Sequence, residues 1–214
     1  MAFGNLKLFC LANGYSLNGI RGFTVAKMHA AKNAHPWLGC KGSDSIIIAK
    51  WLRFYTALCL LEDHWTEQDR KVLQWVIDGT SAGLAFSQGI HGHGIWLQPS
   101  CLAFLRKSVQ TFGNCYALLA NHAVGLGQSL YGCVPKLHAW MHFCADMHDS
   151  MLAGRQWTLN PACFDCSMSE DFIGRISRAS RRVSFKNIER TCLQMYQIKA
   201  KEHLVNFKKQ HRKR

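Results

Sequence analysis

The 214-residue chain has no apolar run approaching the roughly twenty residues that a bilayer-spanning helix needs, so no transmembrane segment is expected. Its first apolar stretch, Phe3 to Leu11, is short and interrupted by Gly4, Asn5 and Lys7, which does not fit a secretory leader. Strand signal is scarce, no internal repeat is evident, and no long linker rich in Pro, Gly or Ser divides the chain. Several catalytic signatures are missing as well. There is no HExxH pair, no GxSxG elbow and no Walker loop, and Gly89, Gly92 and Gly94 do not match GxGxxG. Asn160-Pro161-Ala162-Cys163-x-x-Cys166 imitates the zinc-deaminase PCxxC only in part, with an extra residue after proline and no HxE upstream.

Acidic residues are also few, 13 against 26 Lys and Arg, giving a formal net charge of +13. The placement of that charge matters more than its size. Residues 1–50 hold six cations and one acid, and residues 51–170 hold seven cations and nine acids. Residues 171–214 hold thirteen cations and three acids. A near-neutral body followed by a strongly cationic end favours an anionic partner, nucleic acid first. With 48% of residues in the hydrophobic set, the body can bury a substantial core as one large domain or two small ones. The ten cysteines are scattered, which points to reduced thiols serving mainly as small core residues in an intracellular protein, of nucleus or cytoplasm.

Periodicity predicts an all-α fold: an irregular bundle of long amphipathic helices with a basic C-terminal helical pair. Residues 1–43 read as an irregular N-terminal segment, 44–150 as a central helical core, and 151–214 as a cysteine-containing loop and basic helical region. Lys41 to Asp44 supplies a turn and a cap. Ile46, Ile47, Trp51, Phe54, Tyr55, Leu58 and Leu61 recur at helical spacing over Ser45–Asp63. Thr66-x-x-Asp69 is a capping box for a second helix, in which Asp78-Gly79-Thr80-Ser81 marks either a kink or a small-residue packing face. The glycines of Gln88–Gln98 predict a non-helical stretch that would put His91 and His93 on one side if extended. Pro99 opens a long helix reaching roughly Leu130, with Leu102, Leu105, Val109, Phe112, Tyr116, Leu119 and Val124 on one face. Lys136–Met147 reads as helix and TLNPACFDC as loop. Glu170–Arg182 and Phe185–Phe207 form the expected basic pair.

The densest chemistry lies between Cys133 and Cys166. His138 and His142 are one helical turn apart, so both rings can reach one ion, and Cys163-x-x-Cys166 can present two thiolates. Together they are the candidate ligands of a tetrahedral zinc site, with Cys133, Cys144 and His148 as substitutes. A metal-free structural role for the same residues stays open, as does a redox CxxC. For nucleic acid, the candidate contacts are Arg175, Arg178, Arg181, Arg182, Lys186, Arg190, Lys199 and Lys201, a series that can bridge neighbouring phosphates. A catalytic reading draws on Asp63, Asp78, Asp146, Asp149, Glu170 and Asp171, since Mg²⁺ prefers oxygen ligands.

PKLHAWMHF, Asn160-Pro161 and SEDFIGRISRASRR resemble the C-terminal region of mobile-element transposase-like proteins over residues 135–182. In that family a Lys-x-His-x-x-x-His stretch precedes a loop and a helix bearing a metal-binding acid. The resemblance implies that His138, His142 and Glu170 or Asp171 occupy those positions. The opening strands that carry the family's first aspartate have no counterpart here, and Asp78 follows no strand signal. The resemblance therefore raises nucleic-acid association above catalysis. The expected function is a nucleic-acid-binding helical protein with DNA or RNA as partner, derived from or encoded by a mobile element, with zinc as the candidate stabilising ion and Mg²⁺ only under a nuclease reading. Two alternatives accompany it: a Mg-dependent nuclease or strand-transfer enzyme, and a structural homo-oligomer with a nucleic-acid-binding tail.

Overall fold

A computed structural model describes residues 2–24, 40, 42–132 and 135–164, with 187, 190, 191, 193, 194, 197, 198 and 201 from the C-terminal stretch. The expected basic helical pair falls almost wholly outside these residues. The chain divides into two units, Met1–Cys163 and Phe164–Arg214, and the elements that follow belong to the first up to Cys163. Among the described residues it is an all-α structure of five helices with one two-stranded sheet. No helix among them is long and apolar enough to cross a membrane.

Helix α1, Ala2–Ala12, lies in the stretch whose weak periodicity predicts irregular chain. Apolar side chains occur all round it, so no single stripe announces a helix. Leu6 and Cys10 nevertheless bury against Ile20 and Trp51. Helix α2, Gly42–Cys59, follows the expected periodicity and supplies Trp51, which stacks on Tyr55 at 5.5 Å. Asp44 sits in its first turn, fully buried. Its two carboxylate oxygens accept the backbone N–H groups of Asn18 at 2.9 Å and Gly19 at 2.8 Å. The charge is tolerated because both N–H donors and the positive end of the helix dipole face it.

Helix α3, Glu67–Gly92, opens on the predicted capping box: Asp69 N–H donates to Thr66 Oγ1 at 3.2 Å, and Thr66 N–H returns the bond to Asp69 at 3.1 Å. The Thr66 hydroxyl, and then its backbone N–H, hold the Asp69 carboxyl below the usual carboxylate range. The helix passes unbroken through Asp78–Ser81 and through Gly89, so the non-helical reading of Gln88–Gln98 is corrected for 88–92. The reason is tertiary. A Cβ at Gly79 would stand 3.1 Å from Cys115 Cβ, at Gly83 3.3 Å from the Phe112 ring, and at Gly89 2.5 Å from Leu105 Cδ2. These glycines let α4, Pro99–Gly125, approach closely, at a cost in helix propensity of about 1 kcal/mol each.

In α4, Leu102, Leu105 and Val109 are buried as expected. Toward the C-terminus the buried positions become Cys115 and Ala123, and Val124 is 70% exposed. The helix ends near Gly125 rather than Leu130, because Gly127 takes φ +69° and Gln128 N–H closes on Ala123 O at 2.8 Å. The same left-handed glycine cap ends α1 at Gly14 and α5, Pro135–Leu152, at Gly154.

Strands β1, Trp96–Leu97, and β2, Thr158–Leu159, pair antiparallel, with Trp96 opposite Leu159 and Leu97 opposite Thr158. This small sheet, in a chain with scarce strand signal, forms because Leu97 inserts among Phe86, Leu102, Leu105, Val109 and Met147. Asn160 then locks the junction. It is 1% exposed, and its Nδ2 donates to Ile90 O and Gly94 O, each at 2.8 Å. Its Oδ1 accepts Ala162 N–H at 3.0 Å. One amide thereby satisfies a carbonyl of the last turn of α3 and one of the loop beyond it. Asn160→Ala is expected to lower unfolding free energy in urea titration by about 1–3 kcal/mol, since it removes the donor to two part-buried carbonyl contacts. A loss below about 0.5 kcal/mol would show that the lock is dispensable.

Candidate nucleic-acid interface

Helix α5 carries the predicted histidine pair. Its inner stripe, Trp140, Cys144, Met147 and Met151, packs into the α3–α4 core, which leaves His138 and His142 exposed on another face. The two rings meet edge to face, centroids 4.4 Å apart at 85°, with Nε2 to Nε2 at 2.8 Å. At that distance the two ring nitrogens share one hydrogen bond, its direction set by which ring carries the Nε2 proton. Two nitrogens of a tetrahedral zinc centre stand roughly 3.3 Å apart, given zinc–nitrogen bonds of about 2.0–2.1 Å. A small opening of the pair would therefore admit an ion. Cys163 is exposed in the 3-10 turn Pro161–Phe164, and Cys166 lies outside the described residues. Cys144 is half-buried and His148 exposed. Among the described residues no group of three or more His, Cys, Asp or Glu is placed to hold a metal ion. The structure thus brings two of the four candidate ligands together.

Of the candidate phosphate contacts, Arg190 and Lys201 are exposed. Arg175, Arg178, Arg181, Arg182, Lys186 and Lys199 lie outside the described residues. The candidate carboxylates are dispersed. Asp63 is exposed beside Arg70 at 4.0 Å, Asp78 accepts a bond from Gln74 at 2.8 Å, and Asp146 and Asp149 are exposed on α5. Glu170 and Asp171 lie outside the described residues. His91 ends α3 and His93 caps it, so they are not neighbours on an extended strand; His93 Nδ1 instead lies 3.8 Å from Cys101 Sγ.

Acidic residues are unevenly distributed over the placed helices. Residues 79–145 contain no Asp or Glu, and neither do residues 150–164. The ion pairs among the described residues fall at His64–Glu62, Arg70–Asp63 and Lys71–Glu67, where the acids meet their own local cations. The acid-free segments supply most of α3 and all of α4, together with both strands, and they include exposed Lys107 and Arg155. On the outward side of the sheet, Trp96 and Leu159 pair across the strands, and Trp157 stands two residues before Leu159, just ahead of β2. Trp96 is 58% exposed and Trp157 54%. Both indoles are thus open to solvent on this side of the sheet, and Arg155, two residues before Trp157, is exposed as well. The alternation Ile95-Trp96-Leu97-Gln98 was the available signal for β1, too short to stand out.

No family model matches this sequence, and no curated protein or solved structure matches it either.

The cysteines are less uniformly internal than their number suggests. Cys10 and Cys115 are buried; Cys40, Cys59, Cys101 and Cys144 are half-buried; all of these and Cys163 are free thiols. Burial, and then the Asp44 carboxylate, push the Cys10 thiol up; burial, and then Asp78, do the same to Cys115. With a chelator present to keep metal off the thiols, iodoacetamide at neutral pH should therefore modify Cys163 first among the described cysteines, and Cys10 and Cys115 only after denaturation. Peptide mass mapping would read the order. Native-state labelling of Cys115 as fast as Cys163 would contradict it.

Proposed function

We propose that this chain is a nucleic-acid-binding helical protein, derived from or encoded by a mobile element and stabilised by zinc. The observation that carries the reading is the excess of thirteen cations over three acids in residues 171–214. Such a density of Lys and Arg gains affinity by displacing counterions from phosphates, which makes binding salt-sensitive and largely independent of sequence. The acid-free character of 79–145 supports the same reading, because those helices add no repulsive charge. The resemblance of residues 135–182 to transposase-like proteins supports the mobile-element origin. Arg175, Arg178, Arg181 and Arg182 are assigned the main phosphate contacts, with Lys186, Arg190, Lys199 and Lys201 extending them on DNA or RNA.

Replacing Arg175, Arg178, Arg181 and Arg182 together by glutamine should weaken binding to duplex DNA and to RNA. It should also make the slope of log affinity against log salt shallower by up to about 3. Fluorescence anisotropy over a salt series measures both, and retained affinity with an unchanged slope would remove the reading.

Zinc is assigned to His138, His142, Cys163 and Cys166, where the 2.8 Å approach of the two imidazoles supports a shared ion. Such a site ties the exposed face of α5 to the residues after β2 and would raise stability on metal binding. Native mass spectrometry should find one zinc per chain, lost in His138→Ala and in Cys166→Ser. Equal zinc content in the wild type and both variants would return the four residues to ordinary surface roles.

A further inference from the structure

A cavity of 420 Å³ opens between α1, α2 and α3, inside the size range of about 300–1,000 Å³ typical of small-molecule sites. Its lining comes from three elements in register. Helix α3 contributes Ser81, Leu84, Ala85 and Gln88, one continuous stripe at helical spacing. This stripe is separate from the glycine side of α3 that meets α4. Helix α2 contributes Lys50, Arg53 and Phe54, also one turn apart, and α1 with its following turn contributes Phe9, Asn13 and Tyr15.

The chemistry of this lining is specific. It holds two cations and no carboxylate, and among the described residues neither Lys50 nor Arg53 has an ion-pair partner. Lys50 Nζ is positioned by the Tyr15 hydroxyl at 3.3 Å and lies 4.7 Å from the centre of the Tyr15 ring. Three aromatic rings stand together at the wall: Phe9 lies 5.5 Å from Phe54 and 5.9 Å from Tyr15. Phe54 is 50% exposed although an apolar floor, Leu84 and Ala85, lies in the same cavity. Unpaired cations in a concave wall concentrate anions. Two of them one turn apart suit the several oxygens of a phosphate better than a single carboxylate, and the ring cluster and apolar floor suit a flat heterocycle. Asn13 and Gln88 carry side-chain amides that can read the polar edge of such a ring. An aliphatic phosphate would leave the rings unused, and an uncharged heterocycle would leave both cations unused.

We propose that this cavity binds a nucleoside monophosphate unit, its base among Phe9, Tyr15 and Phe54 and its phosphate at Lys50 and Arg53. The unit can be a free nucleotide or the phosphorylated end of a nucleic-acid strand, and the site draws on none of the C-terminal cations.

Calorimetric titration of the full chain tests this with adenosine 5′-monophosphate, adenosine and inorganic phosphate. The monophosphate should saturate one site at least about tenfold more tightly than either fragment. Arg53→Gln, at an exposed position that leaves the core intact, should weaken the monophosphate about tenfold and leave adenosine unchanged. Unaltered circular dichroism and melting would certify the fold of that variant. Two oligonucleotides of one sequence, with a 5′-phosphate or a 5′-hydroxyl, separate the sources. Tighter binding of the phosphorylated strand, abolished by Arg53→Gln, assigns a strand end; equal binding of both, with the monophosphate still held, assigns the free nucleotide. The quadruple arginine variant at 175, 178, 181 and 182 should keep its monophosphate affinity, so failure of the nucleic-acid reading leaves this one standing. Monophosphate binding no tighter than that of inorganic phosphate, or unaffected by Arg53→Gln, would overturn the site.

Discussion

The close approach of α3 and α4 governs the first unit. It exists because Gly79, Gly83 and Gly89 present no side chain where Cys115, Phe112 and Leu105 come nearest. Without that approach Phe86 could not share a core with Leu102, Leu105 and Val109, and α5 would lose the surface that seats Trp140 and Met147. Interiors packed to crystal-like density transmit such a constraint outward rather than absorbing it. The position of α3 in turn sets the floor of the cavity beneath α1 and α2, because Leu84 and Ala85 stand on the helix that the glycines anchor. One close approach of α4 side chains to the α3 backbone thus bears on both the core on one side of α3 and a concave, cation-lined surface on the other.

Charge is segregated in a way that complements this architecture. The acids of residues 62–78 are largely engaged close to home: in the capping box, with His64, Arg70 and Lys71, and with Gln74. Exposed pairs of this kind add little stability, but they place a cation or donor beside most of the acids of this stretch. From residue 79 to 145 no acid opposes the cations, and after 170 the cations dominate outright. On the proposed reading, a polyanion would meet no acidic side chain on α4 or on the second half of α3, and its approach would be favoured at low ionic strength.

Helices α2, α3, α4 and α5 were legible in sequence because their apolar residues recur at three and four positions and because Thr66 and Pro99 mark two of the starts. Helix α1 was not, since a helix apolar on most sides carries no periodic signal. Gly89 and Gly92 misled for a different reason. Local rules assign glycine to turns, whereas Gly89 answers to a partner helix that lies elsewhere in the sequence. The candidate ligands show the same split. The i, i+4 relation of His138 and His142 followed from helix geometry alone, while bringing Cys163 beside them would need long-range geometry that spacing cannot express. Lys50 and Arg53 carry no local signal of a cavity, because Phe9 and Tyr15, two of the rings that line it with them, lie some forty residues earlier in the chain. Asn160 was read only as part of an Asn-Pro loop, its contacts to residues 90 and 94 being invisible to any local window.

The Asn160 amide also imposes an order on biosynthesis. As the chain leaves the ribosome from its N-terminus, α3 can coil as soon as residue 92 is free. The carbonyls of Ile90 and Gly94 must then rely on water until a side chain 66 to 70 residues further along arrives. During that interval Leu97 also lacks the β2 partner that holds its strand in place. A nascent chain halted between α4 and residue 160 thus exposes an unfinished helix end and an unpaired strand edge, features that chaperones engage and that misassociation exploits. Both partners arrive together with residues 158–160, so these contacts can complete only once that stretch has emerged.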